Sequence, residues 1–136
     1  MLRYSLPALL LLSGCAATPA QMAREDARAE RTEAELAREL AGYVAGNPQQ
    51  CISPRRENTM IFGDRILYYG ASSRKYLTTT TGGCFGLRRN EIIVTRSVGG
   101  QLCAGDIVTT VEPSSGTQGG TCSLGEFVPY SRPRRG

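Results

Sequence analysis

The sequence predicts a mainly β fold: a small antiparallel β-sandwich or partly closed barrel, stapled by two disulfides and preceded by an N-terminal helix. Three observations predict it. After Gln50, runs of β-branched and aromatic residues recur at short intervals between Gly, Asn, Asp and Ser. The same stretch carries four cysteines, Cys51, Cys84, Cys103 and Cys122, an even set that in a small exported domain means disulfides. Before it lies a segment rich in Ala, Glu, Arg and Leu, all strong helix formers.

The chain opens with an apolar run, Leu6 to Leu12, far short of the roughly 20 residues that cross a bilayer as a helix. Arg3 precedes it and small residues follow, the layout of a secretory signal. The run ends in Leu12-Ser13-Gly14-Cys15: an aliphatic residue, two small ones, then cysteine. This resembles the lipobox of bacterial lipoproteins. The resemblance implies a signal peptide over residues 1–14, diacylglycerol on the Cys15 thiol and a further acyl chain (palmitate or similar) on its new amino group. One fatty chain anchors only marginally, at about 0.8 kcal/mol per methylene, whereas two or three anchor firmly. That covalent lipid is the only cofactor-like group expected. Ala16 and Ala17, with no Asp beside the cysteine, imply an outer-membrane lipoprotein facing the periplasm rather than one kept in the inner membrane. The competing reading is a plain signal peptide cut near Ala17 or Ala20.

After the anchor and tether at residues 15–19, residues 20–45 read as a charged helical spacer. Thr18 suits a helix cap, Pro19 a first turn, and Gly46-Asn47-Pro48 a stop. Apolar residues form no continuous stripe in the first half. In the second half Leu36, Leu40, Tyr43 and Val44 share one helical face, which predicts docking on the domain.

The β-domain spans residues 50–130. Its candidate strands are Thr59–Phe62, Arg65–Tyr69, Lys75–Thr80, Glu91–Val98, Asp106–Val111 and Ser123–Val128, with a short one at Cys51. Gly63-Asp64 supplies a tight hairpin, and Gly70–Arg74, Gly99-Gly100 and Pro113–Gly120 supply further turns. Ile61, Ile66, Tyr68, Leu77, Ile92, Val94, Ile107, Val111, Leu124 and Phe127 are the expected core. Residues 131–136 read as a basic disordered tail. Four thiols permit three pairings. The expectation leans to a nested one, Cys51–Cys122 around Cys84–Cys103. No C-x₂₋₄-C spacing favours zinc instead.

The stretches Cys51–Asn58, Gly82–Asn90, Leu102–Val108 and Thr121–Tyr130 resemble an uncharacterised family of small proteobacterial lipoproteins, a domain of unknown function. Cys-x-Gly-Asp at Cys103 to Asp106 is the most specific piece. The resemblance implies an export-associated, disulfide-bearing domain and transfers no catalytic residue.

The chain has no His, which removes Ser-His and Cys-His catalysis and imidazole metal ligands. Asp106 and Glu126 are the best-placed carboxylates for an acid/base pair, although an Asp after Gly commonly serves only its turn. Charge divides sharply. Ala20–Val44 sets four Arg against six carboxylates, −2; from Gln50 onward eleven basic residues face six acids, +5. Arg55, Arg56, Arg88 and Arg89 are candidate anion-binding residues, for anionic lipid, lipopolysaccharide phosphate or an acidic envelope protein; nucleic acid is not expected. The reading that follows is a non-enzymatic, lipid-anchored binding or scaffolding module, held to the membrane by its acyl chains. An inhibitor of muramidases and a carboxylate-dependent envelope hydrolase are the alternatives.

Overall fold

The computed structural model describes residues 17–54, 58–89, 91–97 and 99–134. Cys15, the signal segment, Arg55 and Arg56 lie outside the described residues.

Helix α1 (Pro19–Glu39) starts where a reciprocal capping box forms. The Thr18 hydroxyl accepts from the Gln21 N–H, and Gln21 Oε1 accepts from the Thr18 N–H, satisfying two otherwise orphaned donors. The helix ends at Glu39, earlier than the apolar spacing suggests. Gly42 takes a left-handed φ of +79°, a conformation glycine adopts freely and one that turns the chain out of the helix. Tyr43 and Val44 therefore leave the docking face, and Val44 opens strand β1 (Val44–Ala45). Leu36 and Leu40 remain to dock, against Phe62, Leu67, Tyr69 and Leu77.

The remaining strands are β2 (Cys51–Ile52), β3 (Thr59–Phe62), β4 (Arg65–Tyr69), β5 (Lys75–Thr81), β6 (Ile92–Thr95), β7 (Leu102–Cys103), β8 (Ile107–Val111) and β9 (Gln118–Ser131). They form a curled antiparallel half-barrel in the order β3-β4-β5-β9-β8-β6, with β1 also on β9 and a separate β2–β7 pair. The long β9 pairs in turn with β8, β5 and β1, so one strand binds most of the domain. β4 buries both faces. Ile66 and Tyr68 enter the inner core with Val108, Leu124 and Phe127, while Leu67 meets the helix side.

Two strands present the opposite face to the one expected. Ile92, Val94 and Ile107 are 54 %, 45 % and 50 % exposed, whereas Val108 and Thr110 are fully buried and Ile93 packs against the core. A one-residue change of phase moves every side chain of a strand to the other face. Thr110 is tolerated inside because its hydroxyl donates to the Gly120 carbonyl at 3.5 Å.

The disulfides also differ from the nested expectation: they are Cys51–Cys103 and Cys84–Cys122. Cys51 and Cys103 stand directly opposite each other on the β2–β7 ladder. Cys84 precedes a 3₁₀ turn (Phe85–Arg89) that packs beside β9, where Cys122 resides. Of the expected tail, residues 131–134 are described and Arg135 and Gly136 lie outside the described residues. Ser131 pairs with Val44, and the Arg132 guanidinium lies 5.0 Å from the centre of the Tyr43 ring.

Between Thr78 and Thr80 the β5–β9 register shifts, and Gly125 sits at that irregularity. A Cβ there would stand 2.7 Å from the Thr79 carbonyl oxygen, a backbone atom that cannot step aside without opening the ladder. Gly125→Ala is expected to cost about 1–3 kcal/mol. A urea titration that left the midpoint unchanged would contradict this packing.

Candidate functional site

The junction of helix and sheet is built around Lys75, the only lysine of the chain. Its side chain is buried beneath the end of α1. Nζ donates to the Glu39 carbonyl at 2.6 Å and to Glu39 Oε1 at 2.5 Å, and lies 4.5 Å and 5.2 Å from the Tyr43 and Tyr69 ring centres. A cation at a helix C-terminus meets the negative end of the helix dipole. The Tyr69 hydroxyl donates to the same carboxylate at 2.5 Å. Farther up the helix, Arg65 pairs with Glu33, and Arg28 Nη2 donates to the Arg88 carbonyl at 2.6 Å. The helix is thus bolted to the domain through both halves, including the half the sequence reads as a solvated spacer.

These contacts make stability pH-dependent. The Lys75 hydrogen bond, then that from Tyr69, holds Glu39 below its ordinary 4.5. A carboxyl lowered by folding stabilises above its unfolded value, so this contribution is full above pH 4.5 and drains away as the pH falls. Burial, aided by Glu39, pushes the Tyr69 phenol up to about 12. Burial likewise lifts Tyr68 to about 12, with Asp106 adding to the rise and Thr95 opposing it. Phenols raised by folding stabilise fully below their ordinary 10, and that stability is lost as the pH climbs through about 12. A thermal-melt series against pH should therefore fall at both ends. Tyr68→Phe should shrink the alkaline fall, and an unchanged alkaline arm would contradict the assignment.

Of the four candidate anion-binding residues, the structure places two. Arg88 and Arg89 end the 3₁₀ turn with exposed side chains. Arg88 borders a groove of about 580 Å³ between α1 and the β3–β4 hairpin, which Arg28, Arg31 and Arg65 also line. Glu33 and Asp64 share that groove, so its charge is mixed rather than purely cationic. A second cleft, of about 390 Å³, opens beside exposed Cys51 and is lined by Gln49, Ser53, Ser72, Arg74 and Gln101. Ser72, in its lining, and the next residue, Ser73, hold φ of +56° and +58°, a region few non-glycine residues occupy. Its amides and hydroxyls offer hydrogen bonds of both senses.

The carboxylates singled out for chemistry serve the fold. Asp106 Oδ2 accepts the Cys103 N–H at 2.8 Å, closing the turn before β8, and Glu126 accepts from Gln50 Nε2. Glu112 accepts N–H and O–H bonds from Ser114 and N–H from Ser115, which hold it down to about 2. Glu91 is the carboxylate that spacing could not single out. It is buried, and Oε2 has no hydrogen-bond partner among the described residues. The oxygen fills a slot between Gly86 and Gly119, where an added Cβ would come within 2.0 Å and 1.7 Å of it. Glycines at 86 and 119 are the local signal, legible only once the strands are paired. Among the described residues no three of the Cys, Asp and Glu side chains gather as a metal site.

A family model of unknown function, DUF6491, matches residues 1–129. The chain belongs to that family. No curated protein matches the chain, and neither does any solved structure. As a DUF6491 domain, the chain takes from its family no assigned chemistry, so its function must be argued from its own residues.

Proposed function

We propose that this DUF6491 chain is a lipid-anchored protein of the cell envelope, tethered through acylated Cys15 in the outer membrane. Its β-domain binds or scaffolds other envelope components instead of catalysing a reaction. The observation that carries the reading is the short path in sequence from lipobox to domain. Only residues 16–18 separate Cys15 from Pro19, the first residue of α1, a span of at most about 14 Å. From there α1 is fixed to the sheet through Glu33, Leu36 and Glu39 and to the 3₁₀ turn through Arg28. An acyl group on Cys15 would thus hold the domain against the bilayer rather than on a long leash. The commitment of Asp106 and Glu112 to their own turns supports a binding role. The Arg88-bordered groove and the amide-lined cleft are the surfaces that would meet a partner.

Fractionating cells that make the chain tests this. The wild-type protein is expected in the membrane fraction, and Cys15→Ser in the soluble one. If purified protein hydrolysed peptidoglycan or an ester and Asp106→Asn abolished the turnover, the domain would be an envelope hydrolase and the proposal would fail.

A further inference from the structure

The two end strands of the half-barrel are finished differently. β3 lies beneath α1 and buries Phe62 against it. β6 pairs only with β8, and no hydrogen bond among the described residues closes on its other edge. Its residues Ile92–Thr95 contain no proline, no charge and no bulge, three of the devices that blunt an edge, so that only its shortness limits pairing. The phase described above turns Ile92 and Val94 outward on this strand, with Ile107 beside them on β8.

We infer that the β6 edge joins a second copy of this chain, antiparallel, to continue the sheet across a two-fold axis. A bare edge offers backbone N–H and C=O groups, which lipid leaves unsatisfied and another strand satisfies. The strand is also self-complementary. Directly opposed antiparallel residues point to the same face, so the two-fold axis must lie midway between one residue and its own copy. With Ile93 of one copy opposite Ile93 of the other, Ile92 stands opposite Val94 and Val94 opposite Ile92. Every outward pair in β6 is then apolar, and the inward pair is two half-buried isoleucines. Arg96 follows the strand by one residue. In this register the two Arg96 residues are about 20 Å apart at ~3.4 Å per residue, beyond the screening length in physiological salt.

An edge contact of this length buries less than the roughly 1,200 Å² of a standard stable interface. The dimer is therefore weak in solution, with a Kd between about 10 µM and about 1 mM. Confinement of both copies to one membrane would raise their effective concentration and populate it. The pairing itself does not depend on the lipid anchor.

Sedimentation velocity of the full chain in detergent tests it, and reads the edge whether or not Cys15 is acylated. The expected result is a monomer–dimer equilibrium that Val94→Lys weakens at least about tenfold, with its melting temperature kept because the site is surface-exposed. Val44→Lys, on exposed β1, should leave the equilibrium unchanged. A monomer up to about 1 mM, or a dimer that survives Val94→Lys, would overturn the inference. So would a monomer that floats with phosphatidylglycerol vesicles, or captures an extended peptide, through Val94.

Discussion

Replacing Cys84 and Cys122 together by alanine is expected to remove roughly 4 kcal/mol of unfolding free energy. The bridge closes a loop of 38 residues, and constraining a loop of that size in the unfolded chain stabilises by about that amount in the chain-entropy model. Both sulfurs are buried in the main core, so the double variant also leaves a small void. A domain this small has few such resources, and the loss should bring it close to unfolding at physiological temperature. Denaturant titration under oxidising conditions measures the effect. The second bridge adds a contrast, because Cys51 is exposed and Cys103 half-buried. Under a thiol reductant Cys51–Cys103 should open first, with Cys84–Cys122 surviving until the domain unfolds. Mapping the alkylated cysteines over time gives the order, and early labelling of Cys122 would contradict the burial described here.

Phe127→Ala is expected to cost about 3–5 kcal/mol, the range for emptying a fully buried aromatic site. Phe127 has no exposed surface. Its ring meets the edge of Tyr68 at 6.1 Å between centroids, and its backbone exchanges hydrogen bonds with Gln49 at 2.9 Å in both directions. It therefore sits where β9, β4 and the segment before β2 converge. Phe127→Leu keeps most of the volume and should cost clearly less, under about 2 kcal/mol. Equal losses for the two variants would show that the site does not depend on filling.

Much of this fold is legible in the sequence because its signals are local. Gly63-Asp64 between two β-rich runs sets the β3–β4 hairpin, and both strands fall where their composition places them. Thr18 and Pro19 mark the start of α1 for the same reason. What misleads is any choice that depends on pairing. In β6 and β8 apolar residues occupy both phases of the alternation, Ile92 and Val94 against Ile93, Ile107 and Val111 against Val108. Only the curl of the sheet decides which set turns inward. The cysteines pose the same problem, since Cys51 finds Cys103 through a two-stranded ladder that no local pattern announces. The candidate surfaces were partly visible. Arg88 and Arg89 are exposed as a charged pair should be, but the groove beside Arg88 needs α1 lying over the β3–β4 hairpin. Glu91 gives no linear sign of burial; its slot is assembled from residues on three separate segments.

Intact-mass and N-terminal mass spectrometry of the protein isolated from its own cells is the most direct test of the anchored-module account. The account expects a mature chain that begins at Cys15 and carries the added hydrocarbon mass of two or three fatty acyl chains. A chain starting at Ala17, Thr18 or any other residue, or a Cys15 terminus without that mass, would contradict it.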